Sequence, residues 1–132
     1  MTYHLQIVTP DGKCFDGQAV RLIIPTIDGQ VGILARHINY VTALGMGPAK
    51  VITEDGERLA ACMGGMVAVT DGDVRVLSTT FEWAEDIDVP RAEASLARAE
   101  KMLADPNADE QAKQYANARK KRALVRLSIA KK

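Results

Sequence analysis

Asp88 and Arg91, three residues apart with Ile87 before them and Ala92 after, are the foremost candidates for chemistry in this chain. Arg98 lies seven residues beyond Arg91, so on a helix the two guanidinium groups share a face. Arg119, Arg122 and Arg126 fall at i, i+3 and i+7 of a later helical stretch. If the two stretches fold back on each other, arginines from facing helices converge beside a helix N-terminus, where unpaired N–H groups attract anions. Forked guanidinium groups so placed suit a polyphosphate. The same spacing also describes a solvated basic face whose aliphatic stems lie along apolar surface, and spacing alone favours that plainer reading.

The segment has a structural reading as well. A carboxylate at a helix N-cap accepts from the second or third helical N–H. Pro90 has no N–H to give, which leaves Arg91 as the natural donor to Asp88. Ile87 then precedes the cap and Ala92 sits at the fourth helical position, the pair that forms a hydrophobic staple. A helix start accounts for every residue of the segment.

Other chemistry is hard to find. There is no G-x-S-x-G, no Walker A pattern and no G-x-G-x-x-G following a strand. A small esterase-like enzyme is therefore disfavoured. His37 has no second His nearby and reads as a loop residue satisfied by backbone, while His4 sits in a strand with no Cys at ligand spacing. No metal site and no required cofactor are expected. Cys14 and Cys62 form no C-x-x-C and read as free thiols of a reducing cytoplasmic setting.

The elements that must position the arginines follow from composition and pattern. The chain has 132 residues, 47% apolar and 26% charged, with only 5% aromatic, so its core is built from aliphatic residues. Net charge is zero, against bulk nucleic-acid binding. Yet residues 1–84 carry six basic and nine acidic groups, and residues 85–132 carry eleven and eight. Residues 111–132 hold eight basic groups and no acidic one, an element suited to an acidic surface, an anionic ligand or water. No apolar run approaches the roughly 20 residues of a membrane span, so work at a membrane would go through partners.

Up to residue 84 the sequence reads in twos. Tyr3, Leu5 and Ile7 share one strand face, and Val20, Leu22 and Ile24 alternate until Pro25 ends that strand or marks an edge. Lys13-Cys14-Phe15 is extended before Asp16-Gly17, and residues 28–40 suggest a bend. Residues 54–57 give a hairpin signal, Gly64-Gly65 a strand bend, and Asp-Gly recurs at 11, 28, 55 and 71. Short strands with turns at this spacing predict an antiparallel sandwich or flattened barrel. After residue 84 no Gly occurs. Ala92, Leu96, Ala99 and Leu103 form one stripe, Asp105-Pro106-Asn107 stops that helix, and Ala112, Tyr115, Ala116, Ala123, Leu127 and Ala130 form the face of a second. The fold class is α+β in two domains: a β-sandwich over residues 1–84 and an antiparallel two-helix hairpin over 85–132. Faces so rich in Ala bury little area, which predicts a marginal hairpin able to change partner.

With these residues in view, the chain resembles the epsilon subunits of bacterial F-type ATP synthases (delta in mitochondria). The anchors are Val8-Thr9-Pro10-Asp11-Gly12, Gly29-x-x-Gly32-Ile33-Leu34-x-x-His37, Gly64-Gly65 with Val67 and Val69, Ala84-Glu85-Asp86-Ile87-Asp88-x-x-Arg91-Ala92, and Arg122-Ala123-x-x-Arg126-Leu127-Ser128. Their order and spacing cover essentially the whole chain. Two departures are Ala35-Arg36, where the family usually has Pro-Gly, and Ile38-Asn39-Tyr40, which lacks a customary Pro. They put the shape of that loop in question.

The resemblance implies a ten-stranded sandwich that grips the gamma subunit and the ring of c-subunits. It further implies a helical domain that inhibits ATP hydrolysis when extended, its basic last helix reaching the catalytic beta and alpha subunits. A non-catalytic subunit peripheral to the cytoplasmic face of the cell membrane is expected, with no nucleic acid bound and no direct membrane insertion. In some relatives the folded hairpin binds ATP as a regulatory ligand through I/L-D-x-x-R-A. That pattern stands here as Ile87, Asp88, Arg91 and Ala92, with Glu82, Arg98, Arg122 and Arg126 at matching supporting positions. The alternative from a different class is a stand-alone module whose basic hairpin docks on an acidic protein or nucleic acid. Co-purification with gamma separates the two.

Overall fold

The structure is a computed structural model and describes residues 1–130. Lys131 and Lys132, part of the basic segment, lie outside the described residues. Between Trp83 and Ala84 the chain divides into two compact units.

The first unit is all strand: β1 (Tyr3–Thr9), β2 (Gly12–Ala19), β3 (Arg21–Thr26), β4 (Gly29–Leu34), β5 (Tyr40–Thr53), β6 (Gly56–Thr70), β7 (Asp73–Ser78) and β8 (Phe81–Trp83). They are hydrogen-bonded in the order β2-β1-β7-β6-β5-β3-β4, with β8 on β6. All pairs are antiparallel except β1 with β7. The resemblance implied ten strands, and the described residues form eight. The reason lies in β5 and β6, 14 and 15 residues long. Along β6, Gly65–Thr70 pairs with β7 while Ala60–Cys62 pairs with β8, so one strand serves two neighbours. Gly64 and Gly65, both at positive φ, mark the change within the strand.

Three of the four Asp-Gly turns are built alike. Thr9, Thr26 and Thr53 each stand two residues before the Asp, and each hydroxyl accepts from the Asp N–H at 3.2 Å. Each also donates to the carbonyl of the following Gly, at 3.4, 2.6 and 3.4 Å. Hydroxyl-closed turns of this kind set hairpin register locally. Asp71-Gly72 links β6 to β7, and the Asp71 N–H donates to the Asn39 side chain at 2.9 Å.

The core follows the period of two. Leu5, Ile7, Leu22, Ile24, Ile33, Val51, Val67 and Val76 are fully buried, with Tyr3, Phe81 and Trp83 completing the cluster. Pro25 neither ends β3 nor lies at an edge. It pairs with Gln30 of β4, and the β3–β5 ladder breaks between Ile23 and Thr26, so the missing N–H falls at an irregularity where no donor is required. Asp16-Gly17 likewise does not end β2, which runs on to Ala19.

The second unit opens with a 3₁₀ turn at Ala84–Asp86, followed by α1 (Val89–Ala104) and α2 (Glu110–Ala130). No helix among the described residues is long and apolar enough to cross a membrane.

Candidate functional site

Asp88 is the N-cap of α1: its backbone is extended and its Oδ1 accepts from the Arg91 N–H at 3.1 Å. Its carbonyl accepts from the Ala92 N–H at 3.0 Å, the first bond of the helix. Pro90 lies in the first turn, where the donor it lacks has no intrahelical partner. Ile87 and Ala92, to either side of the cap, are both buried.

Residues 105–109 turn the chain back. The Asn107 N–H donates to the Asp105 carboxylate at 2.9 Å, and Asp109 caps α2 by accepting from the Ala112 N–H at 2.7 Å. Between the helices, Arg119 Nε donates to Ser95 Oγ at 2.9 Å. Counting from that bond at equal rise along two antiparallel helices, residue 122 comes level with Ala92 and residue 126 with Asp88. Ala92 and Ala99 are the buried residues of α1, and Ala116, Ala123, Leu127 and Ile129 those of α2. Tyr115, read from the sequence as part of the apolar face, is 57% exposed. Beside an alanine at 116 that meets the seam, its bulk is carried on the outer flank of the helix. Ile129 takes a buried place that the sequence reading did not assign.

The candidate nucleotide residues are distributed as follows. Glu82 lies in β8 of the first unit, half-buried. Ile87, Asp88, Arg91, Ala92, Arg98, Arg122 and Arg126 belong to the second. Arg91 and Arg98 are exposed on α1, and Arg98 Nε donates to the Ala94 carbonyl at 3.4 Å. Arg122 and Arg126 are half-buried on α2.

A second feature lies on the strand unit. Val8, Leu77, Met66 and Ala43 stand in one cross-strand row, each paired with the next. The Ile27 N–H donates to the Ala43 carbonyl at 3.2 Å and extends the row, and Val41 lies two residues from Ala43 on the same face. Ile27, Val41, Met66 and Leu77 are 68%, 62%, 44% and 46% exposed, an apolar strip across the solvent side of the sheet. The sequence reading missed it. Its signal is that residues 66–69 and 76–77 are apolar without a break, leaving a second apolar face once Val67, Val69 and Val76 point inward.

His37 Nδ1 donates to the Ile38 carbonyl at 2.8 Å, the loop role expected of it. His4 Nε2 meets Asp16 Oδ1 at 2.6 Å, and that bond, with one from Lys13, holds the Asp16 carboxyl below its ordinary value. Burial pushes the Tyr3 hydroxyl and the Cys62 thiol upward. Among the described residues no three His, Cys, Asp or Glu side chains gather as a metal would require.

A strand module with an outward apolar strip, followed by a capped, alanine-seamed, cationic pair of helices, defines a two-unit α+β protein. Residues 2–84 match the family model described as ATP synthase, Delta/Epsilon chain, beta-sandwich domain. Residues 85–131 match the corresponding long alpha-helix domain. The chain is 41% identical over 129 residues to the ATP synthase epsilon chain of an Exiguobacterium species, covering 97% of this chain and 95% of that one. To the epsilon chain of Shouchella clausii it is 36% identical over 130 residues, covering 98% and 96%. In fold it is similar to a chain of the Euglena gracilis mitochondrial ATP synthase, with a TM-score of 0.83 at 24% identity over 97% of this chain and 80% of that one. A chain of the Tetrahymena thermophila enzyme's central stalk and c-ring gives 0.62 at 18%, over 96% and 95%. The chain belongs to the ATP synthase delta/epsilon chain family.

Proposed function

We propose that this chain is a non-catalytic central-stalk subunit of an F-type ATP synthase whose helical hairpin restrains ATP hydrolysis. In this reading the strand unit binds the gamma subunit and the c-ring, and the protein sits peripherally at the cytoplasmic face of the cell membrane. The apolar strip from Val8 to Ile27 supports the docking half, since exposed apolar area of this continuity marks a protein interface. The stalk complexes among the fold neighbours support the assignment to the rotor.

The observation that carries the regulatory half is the unequal construction of the two units. The strand unit closes on Leu, Ile, Val and aromatic side chains, whereas α1 buries only Ala92 and Ala99, and α2 adds two further alanines with Leu127 and Ile129. At about 25 cal/mol per Å² of apolar surface, an alanine seam is a weak hold. A pair of helices so held can open, and the cationic α2 can then move to the acidic surface of the catalytic alpha and beta subunits. ATP is the regulatory ligand of the folded form, held by Ile87, Asp88, Arg91, Ala92, Arg98, Arg122 and Arg126. A ligand that binds only the folded hairpin shifts the population toward it.

Removal of residues 88–132 tests the brake in the assembled complex. Assembly with gamma is expected to persist and ATP hydrolysis to rise; unchanged hydrolysis overturns the brake. Calorimetric titration of the full chain with magnesium-free ATP, repeated on Arg91→Ala, tests the ligand. Heat that vanishes in the variant supports the site, and absence of heat in the native chain removes it.

A further inference from the structure

A groove of about 510 Å³ opens between α1 and α2 toward the hairpin tip, away from the capped N-terminus of α1. Its floor is Ala99 and Ala116, both almost wholly buried. Over that floor stand Met102, 40% exposed, and Tyr115, 57% exposed. Arg98, Lys101 and Arg119 edge it, against Asp105 as the one carboxylate. The volume is that of a small-molecule seat, and an apolar floor with a few placed charges is the usual composition of one. The excess of cations selects an anion, and the Tyr115 ring with the Met102 thioether selects a flat aromatic body.

We propose that this groove binds a small aromatic anion, an aryl phosphate or sulfonate. Its ring would lie on the Ala99–Ala116 floor against Tyr115 and Met102, with its charge on Lys101 and the two arginines. The site goes beyond the nucleotide reading above. Apart from Arg98 its residues lie outside that set, and Met102 is 14 residues, roughly 21 Å along the helix, from Asp88. Because the groove needs both helices in register, a ligand there would also hold them together.

The test is a titration of the full-length chain with 1-naphthyl phosphate, followed by the methyl and amide resonances of Ala99, Met102 and Ala116. Saturable shifts centred on those residues are expected. Tyr115→Ala and Lys101→Glu, both at exposed side chains, should each weaken binding about tenfold. Lys121→Glu, an equal charge change at an exposed position outside the groove, should leave it within about twofold. Arg91→Ala should also retain binding, which separates this site from the nucleotide site. Shifts centred on residues 87–92, loss of binding in Arg91→Ala, or equal weakening by Lys101→Glu and Lys121→Glu would each overturn the proposal. So would linear, unsaturable shifts.

Discussion

Arg119 of α2 donates its Nε–H to the hydroxyl of Ser95 on α1 at 2.9 Å, and this bond sets the register of the hairpin. The seam around it is made of alanines, which pack closely but specify alignment poorly. A half-buried polar bond is directional where such packing is not. Ser95→Ala should therefore destabilise the second unit by about 1 kcal/mol, because it also strands a guanidinium N–H. Amide exchange along residues 112–126 is the measurement; protection equal to the native chain would contradict the role.

The cap of α1 is open to the same approach. Asp88→Ala removes the acceptor of the Arg91 N–H and should cost about 1 kcal/mol, with Asp88→Asn recovering most of it. Helical signal against denaturant, read for both variants, checks the order. Were ATP binding lost in Asp88→Asn while stability held, the carboxylate's charge would have a part beyond capping.

Gly65 has φ of +119°, and a Cβ there would overlap the carbonyl oxygen of Leu77 on the paired strand. Gly65→Ala should cost about 3 kcal/mol or more, through backbone strain and a forced separation of β6 from β7. Gly12 has φ of +125° with open space around it, so Gly12→Ala meets backbone strain alone, about 1–3 kcal/mol, and should cost less than Gly65→Ala. Urea midpoints of the two variants give the comparison, and equal losses would show that the close approach is unimportant.

Arg36 sits at φ of +64°, in the left-handed region that favours glycine. An L-residue in that region is strained by about 1 kcal/mol, so Arg36→Gly should raise the thermal midpoint slightly. A lowered midpoint would mean that the arginine contributes contacts exceeding its backbone cost.

Asp16 sets a dependence on pH. Its carboxyl titrates below its ordinary 3.8 because His4, then Lys13, bond the charged form. The lowered folded value means that its contribution is present above about pH 4 and is lost as pH falls through the folded value. Asp16→Asn should therefore melt below the native chain at about pH 6, and the two curves should converge once pH falls below the folded value. Parallel curves throughout would contradict the linkage.

Much of this protein follows from local pattern. Tyr3, Leu5 and Ile7 face inward because apolar and polar residues alternate, and each Asp-Gly turn falls where that alternation stops. Asp88 caps α1 because a short carboxylate reaches the N–H that Pro90 cannot supply. These are interactions within a few residues, so the sequence by itself determined them. Tertiary structure decided the rest. Pro25 is interior because β4 and β5 flank it on either side at a ladder break, a fact about two other strands. Tyr115 is exposed because its neighbour Ala116 takes the buried place on α2, opposite a helix whose own buried residues are Ala92 and Ala99. The Val8–Ile27 strip exists only once β1, β7, β6 and β5 lie side by side, since no segment of the chain contains it. Which face an apolar residue takes depends on what it packs against, and partners distant in sequence leave no local mark.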